Sequence, residues 1–188
     1  MKKFWIGGIV ILAVIGWTAC NDNTESKKDN DKDSTATAKT EKRELDNDAR
    51  DFALKAANGS MMEVELGKMA EKKSSNKRVK SFGAMMVKDH TETGEELKNF
   101  ASAHNLNLPD SIDESSRKEV DKLSKKKGID FDRAYMDMMV DDHSKDLEDF
   151  RKAADNLSDS TLKSFAQVTM PILAKHLDSA KSITGKKM

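Results

Sequence analysis

The chain has 188 residues, and its 33 Lys plus Arg balance 33 Asp plus Glu, so the formal net charge is zero. That balance excludes a nucleic-acid binder or other polyanion sink, which would carry a basic excess. Charged residues make up 35% of the chain and aromatics 5%, with nine glycines and two prolines. A few long amphipathic helices fit this composition, whereas a sandwich or barrel needs a turn about every 8–12 residues.

Cys20 is the single cysteine, and it closes the only long apolar run. A disulfide scaffold is excluded, as is any Cys-ligated zinc or iron–sulfur site in the chain beyond it. Lys2 and Lys3 precede the apolar stretch Phe4 to Trp17, which is shorter than the roughly 20 residues a membrane-spanning helix needs. Thr18 and Ala19 then lead into Cys20. Small residues before a cysteine resemble the lipobox of bacterial lipoproteins, although Trp17 stands where that pattern usually has Leu. The resemblance implies a signal peptide over 1–19, lipid attachment at Cys20, and membrane lipid as the first partner. Each acyl methylene that enters the bilayer contributes about 0.8 kcal/mol, so two or three chains hold firmly where one is marginal.

Residues 20–46 form the lipidated cysteine and a polar linker with no large apolar residue before Leu45. Such a segment cannot bury enough surface to offset the entropy of ordering, so a disordered tether is expected. Asn21 is not the Asp of the enterobacterial inner-membrane retention signal. The expected address is therefore the cell envelope, at the outer membrane, on its periplasmic or surface-exposed face.

From residue 47 to 184 the apolar period is helical, which predicts one all-α domain. A first helix over about 47–72 carries Phe52, Ala56, Gly59, Glu63, Leu66 and Ala70 on one seam. Ser74, Ser75 and Asn76 break it and cap a second over about 76–104, with Val79, Phe82, Met86, His90, Leu97 and Phe100. Leu108-Pro109 ends that excursion, a weaker charged helix covers Asp110 to Lys127, Gly128 stops it, and Asp130 opens the third long helix. Its seam runs Phe131, Tyr135, Met139, His143, Leu147, Phe150, Ala154 and Leu157. The fourth, about 159–183, reads Leu162, Phe165, Thr169, Ile172, His176, Ala180 and Ile183, with Pro171 expected to kink it. Short links at the two ends and a long connection over 105–129 give an antiparallel four-helix bundle with one crossover carrying a short extra helix, the ferritin-like connectivity.

Each long helix therefore carries one metal-competent residue on its seam: Glu63, His90, His143 and His176. One carboxylate and three imidazoles suit a mononuclear zinc, iron, manganese or copper ion. The same four groups suit a structural hydrogen-bond layer that fixes helix register, and both readings stand at this point. Asp89 and Asp142 each precede a seam histidine, about 100° around the helix, which puts them at helix–helix boundaries, either orienting an imidazole from a neighbouring helix or facing water. His104 is read as surface. The residues three before the seam histidines are Val87, Val140 and Leu173, so the Glu-x-x-His signature of a carboxylate-bridged di-iron centre is missing. No nucleophile elbow, P-loop or dinucleotide fingerprint is present. The function classes left are an envelope lipoprotein with a metal-binding or structural core layer, a metalloenzyme or metal-handling protein in stress response, and an interaction module. An enzyme is the less favoured of these.

Met62-Glu63-Val64-Glu65-Leu66-Gly67-Lys68-Met69-Ala70, Met86-Val87-Lys88-Asp89-His90, Phe131-Asp132-Arg133-Ala134-Tyr135 and Leu173-Ala174-Lys175-His176-Leu177 resemble the signature of the domain-of-unknown-function 4142 family. The resemblance spans about residues 46–182 in order. It implies a ferritin-like fold and an exported address, and it implies no reaction.

Overall fold

The computed structural model describes residues 45–185; the expected signal peptide, Cys20 and nearly all of the expected tether lie outside them. Five helices follow one another: α1 (Asn47–Lys73), α2 (Lys77–Ala103), α3 (Glu114–Ser124), α4 (Gly128–Asn156) and α5 (Ser160–Thr184). Four start on a side chain that accepts a hydrogen bond from an otherwise unpaired N–H of the first turn: Asp46, Asn76, Asp113 and Asp159. α4 has no side-chain cap and begins at Gly128, two residues earlier than the Asp130 start expected. Gly128 has φ 53°, a left-handed value that glycine adopts without steric cost, so the residue expected to stop one helix opens the next. α5 runs unbroken through Pro171 and ends on Gly185, also left-handed at φ 73°.

α1 pairs with α2 and α4 with α5 as two hairpins, and α2 also lies against α5 and α1 against α4. Neighbours are antiparallel all round the ring. Lys55 of early α1 meets Asp149 of late α4, and Lys73 of late α1 lies over Phe131 of early α4. Arg78 of early α2 reaches Ser182 of late α5. The crossover returns along α1, pinned where Asn58 donates to Ser116 Oγ and accepts from the Asp113 N–H, and where Arg117 pairs with Glu65. No described helix is long and apolar enough to cross a membrane.

The apolar core falls into two clusters. One gathers Ala49, Ala53, Leu97, Phe150, Leu162 and Leu173, with Phe52 and Phe165 edge-on beside it. The other gathers Leu66, Phe82, Met86, Phe131, Tyr135 and Met139. On α2, α4 and α5 a single histidine separates the residues of one cluster from those of the other, and on α1 Glu63 stands at the same level. A polar layer thus divides two hydrophobic blocks, in each of which a fully buried Leu or Phe contributes about 1.5–3 kcal/mol.

Candidate metal centre

Glu63, His90, His143 and His176 meet in that layer, at 4%, 5%, 0% and 0% exposure. Groups this deeply buried must find partners among themselves. His90 Nδ1 lies 3.0 Å from Glu63 Oε2, a buried ion pair. Burial alone would raise the Glu63 carboxyl, but the facing His90 and His143 outweigh it and hold it well below the usual range. Burial likewise disfavours the His90 cation, and the Glu63 charge and hydrogen bond overcome this and raise it.

The other two rings are held differently. His143 Nδ1 donates to the Met139 carbonyl at 2.9 Å, and His176 Nε2 donates to Asp89 Oδ2 at 2.9 Å. Those bonds assign the tautomers: each neutral ring keeps its proton on the engaged nitrogen and a lone pair on the other. The remaining nitrogens, His143 Nε2 and His176 Nδ1, face each other at 3.2 Å. Burial lowers the pKa of both rings, with His90 adding to the effect, and brings His176 to about 4. At neutral pH two lone pairs therefore point into one gap. A ring nitrogen from each of His90, His143 and His176 lies within 4.8 Å of the others, which is the reach of a single ion.

Glu63, expected as a fourth ligand, is engaged as the acceptor for His90; its Oε1 has no hydrogen-bond partner, and neither has His90 Nε2. Asp89 sits behind His176, the carboxylate–histidine arrangement that fixes ring orientation in metal sites. Asp142, which precedes His143 as Asp89 precedes His90, does not join the layer. It lines a surface groove with Glu119, Lys122 and Met138, against α3. Burial and the Glu63 charge push it up to about 7. α2 meets α5 on the side where Asp89 projects, whereas α4 meets the crossover helix there, so the same local sequence finds different neighbours. His104 is not free surface: it stacks on Phe100 at 4.1 Å between centroids and approaches the α5 cap Asp159 at 3.5 Å.

Sequence reasoning missed Asp146. It lines a void of about 30 Å³ with Glu63, His90, Thr93 and Thr169, large enough for one water molecule. Burial first, and then the charges of Glu63 and Asp142, push its carboxyl upward. The available signal was its place three residues after His143, one turn along the same helix.

An all-helical, ferritin-like bundle with a buried histidine layer across its middle is the class of protein to which these features point. The chain belongs to the family described as domain of unknown function (DUF4142), whose model matches residues 34–183. No curated protein matches it in sequence. Among solved structures it is similar to the crystal structure of a DUF305 fragment from Deinococcus radiodurans, with 12% identity and a TM-score of 0.68. That alignment covers 77% of this chain and 100% of the fragment. At this identity the likeness is one of fold.

Proposed function

We propose that the chain is a membrane-anchored envelope lipoprotein whose bundle core binds one transition-metal ion through His90, His143 and His176. Asp89 and Glu63 orient two of the rings. The observation that carries this reading is the facing pair His143 Nε2 and His176 Nδ1, 3.2 Å apart with their other nitrogens already donating. Two uncharged lone pairs repel, and a cation between them turns the repulsion into two bonds. Three imidazoles suit zinc, iron, manganese or copper and leave a coordination position for an outside ligand. A bound ion would supply Lewis-acid or redox chemistry there.

A second reading is favoured by one contact. The Glu63–His90 ion pair at 3.0 Å is complete without metal and would serve a purely structural layer. Elemental analysis of the full chain, purified without affinity tag or chelator, separates the two. Close to one equivalent of a single metal, lost in His143→Ala, is the expected result. Trace amounts spread over zinc, iron, manganese and copper would leave the structural layer as the function of these residues. The anchor is tested by labelling cells with a radioactive fatty acid: Cys20→Ala should abolish incorporation and release the protein from membranes.

A further inference from the structure

α1 and α2 touch at one level and part at another. At Gly67 and Gly83 the helices are so close that a Cβ on either glycine would lie 2.7 Å from the other's carbonyl oxygen. Two to three turns away the contact is gone: a Cβ on Gly94 meets only the Ser60 side chain at 4.0 Å, and one on Gly59 meets nothing within 4 Å. Gly94 lies one turn after His90, and Ser60 one turn before Glu63, so the parting falls at the histidine layer. A groove of about 490 Å³ occupies it, bounded by Ser60 and Met61 of α1, Thr91 and Gly94 of α2, and the Leu108–Ile112 stretch of the crossover, with His90 among the residues lining it. That volume is in the usual range for a small-molecule site. His90 also lines the void of about 30 Å³ that it shares with Glu63, Thr93 and Asp146. His90 is thus common to the outside groove and to the void beside Glu63.

We propose that this groove is the access route by which a small exogenous ligand, of diatomic or triatomic size, reaches the metal's open position, passing the His90 ring at the gap that Gly94 leaves. This rests on the metal reading. The size limit follows from His90 being only 5% exposed, since anything larger than a few atoms would have to displace the ring. The ionic residues around the groove do not select a charge: Arg117 is paired with Glu65 and Lys98 with Glu95, and the remaining two, Lys68 and Asp110, are opposite in sign. The determinant is width, and Gly94 sets it.

The test uses the full chain loaded with cobalt(II), with metal content measured first and azide as the probe ligand. With one equivalent bound, azide should shift the visible cobalt bands saturably. Gly94→Leu should hold the same cobalt while azide binds at least tenfold more slowly. Leucine favours the helix over glycine, and the space at this position accepts its Cβ, so the variant should fold. Val168→Leu, on α5 away from the groove, should match the parent rate. Cobalt bound at one equivalent with bands that ignore azide, or with equal azide rates in Gly94→Leu and parent, would overturn the route and leave the metal reading standing. Failure to bind cobalt at all would remove both.

Discussion

His176 donates its Nε2 proton to Asp89 across 2.9 Å, tying α5 to α2. Burial first raises the Asp89 carboxyl, but the His176 hydrogen bond and Lys88 reverse that and keep it ionised. This one contact fixes which His176 nitrogen faces the centre of the bundle. Asp89→Ala frees the ring to turn and removes the charge that strengthens it as a donor. Metal affinity should fall by about 10- to 100-fold, the usual cost of losing such a partner, with helix content unchanged. Competition against a chromophoric chelator measures it; an unchanged affinity would show that Asp89 does not orient the ring.

His143→Ala removes a fully buried imidazole that contacts both His176 and the Met139 carbonyl. In chelator-treated protein the truncation should cost about 1–3 kcal/mol in urea unfolding, mostly from the small cavity left. Added zinc should raise the thermal midpoint of the parent and leave that of the variant unmoved, because only binding to the folded state stabilises it. A variant that still responds to zinc would show that His143 is not a ligand.

The metal-free protein should lose stability on the acid side through His176. Its pKa falls from 6.5 to about 4 on folding, because burial opposes the charge. Between these values the unfolded chain binds a proton that the folded protein refuses. Stability is therefore complete above about pH 6.5 and declines as pH falls towards 4, by up to about 3 kcal/mol. His90, whose pKa is raised, works in the opposite direction. The diagnostic quantity is accordingly the difference between parent and His176→Gln in urea midpoints at pH 7 and pH 4.5. The variant should gain on the parent as pH drops.

Asp142 should behave in the reverse sense. Its folded carboxyl titrates at about 7, against 3.8 unfolded, with burial as the main cause and Glu63 as the second. The folded protein holds a proton the unfolded chain has already released, so stability is lost as pH rises from about 4 through 7. Asp142→Asn keeps the shape without the charge. It should raise the thermal midpoint by a few degrees at pH 8 and by nothing measurable at pH 4, read by circular dichroism.

Two glycines on α2 should respond oppositely to alanine. Gly83→Ala pushes a methyl into the Gly67 carbonyl at 2.7 Å and forces the hairpin apart, which should cost at least about 1–3 kcal/mol. Gly94→Ala meets only the Ser60 side chain at 4.0 Å and should gain about 0.5–1 kcal/mol from helix propensity. Equilibrium urea unfolding gives both signs.

That this chain folds as helices, and which side of each helix turns inward, is written in the order of its residues. Val79, Phe82, Met86 and His90 repeat at threes and fours, and that period is a property of one helix, so His90, His143, His176 and Glu63 were legible as core residues one by one. Residue order also makes Cys20 the single cysteine, which leaves the buried layer to imidazoles and carboxylates alone. How those residues meet was settled by packing. Periodicity gives a face, but not the height of a residue against its neighbours, nor which helix the next position meets. Those depend on how far α1 and α2 slide until Gly67 and Gly83 touch, and on α3 lying beside α4 where α5 lies beside α2. For that reason Asp89 found His176 while Asp142, in nearly the same local sequence, found a groove, and Asp146 joined the site unannounced. The facing nitrogens of His143 and His176 belong to two helices and to neither helix's pattern.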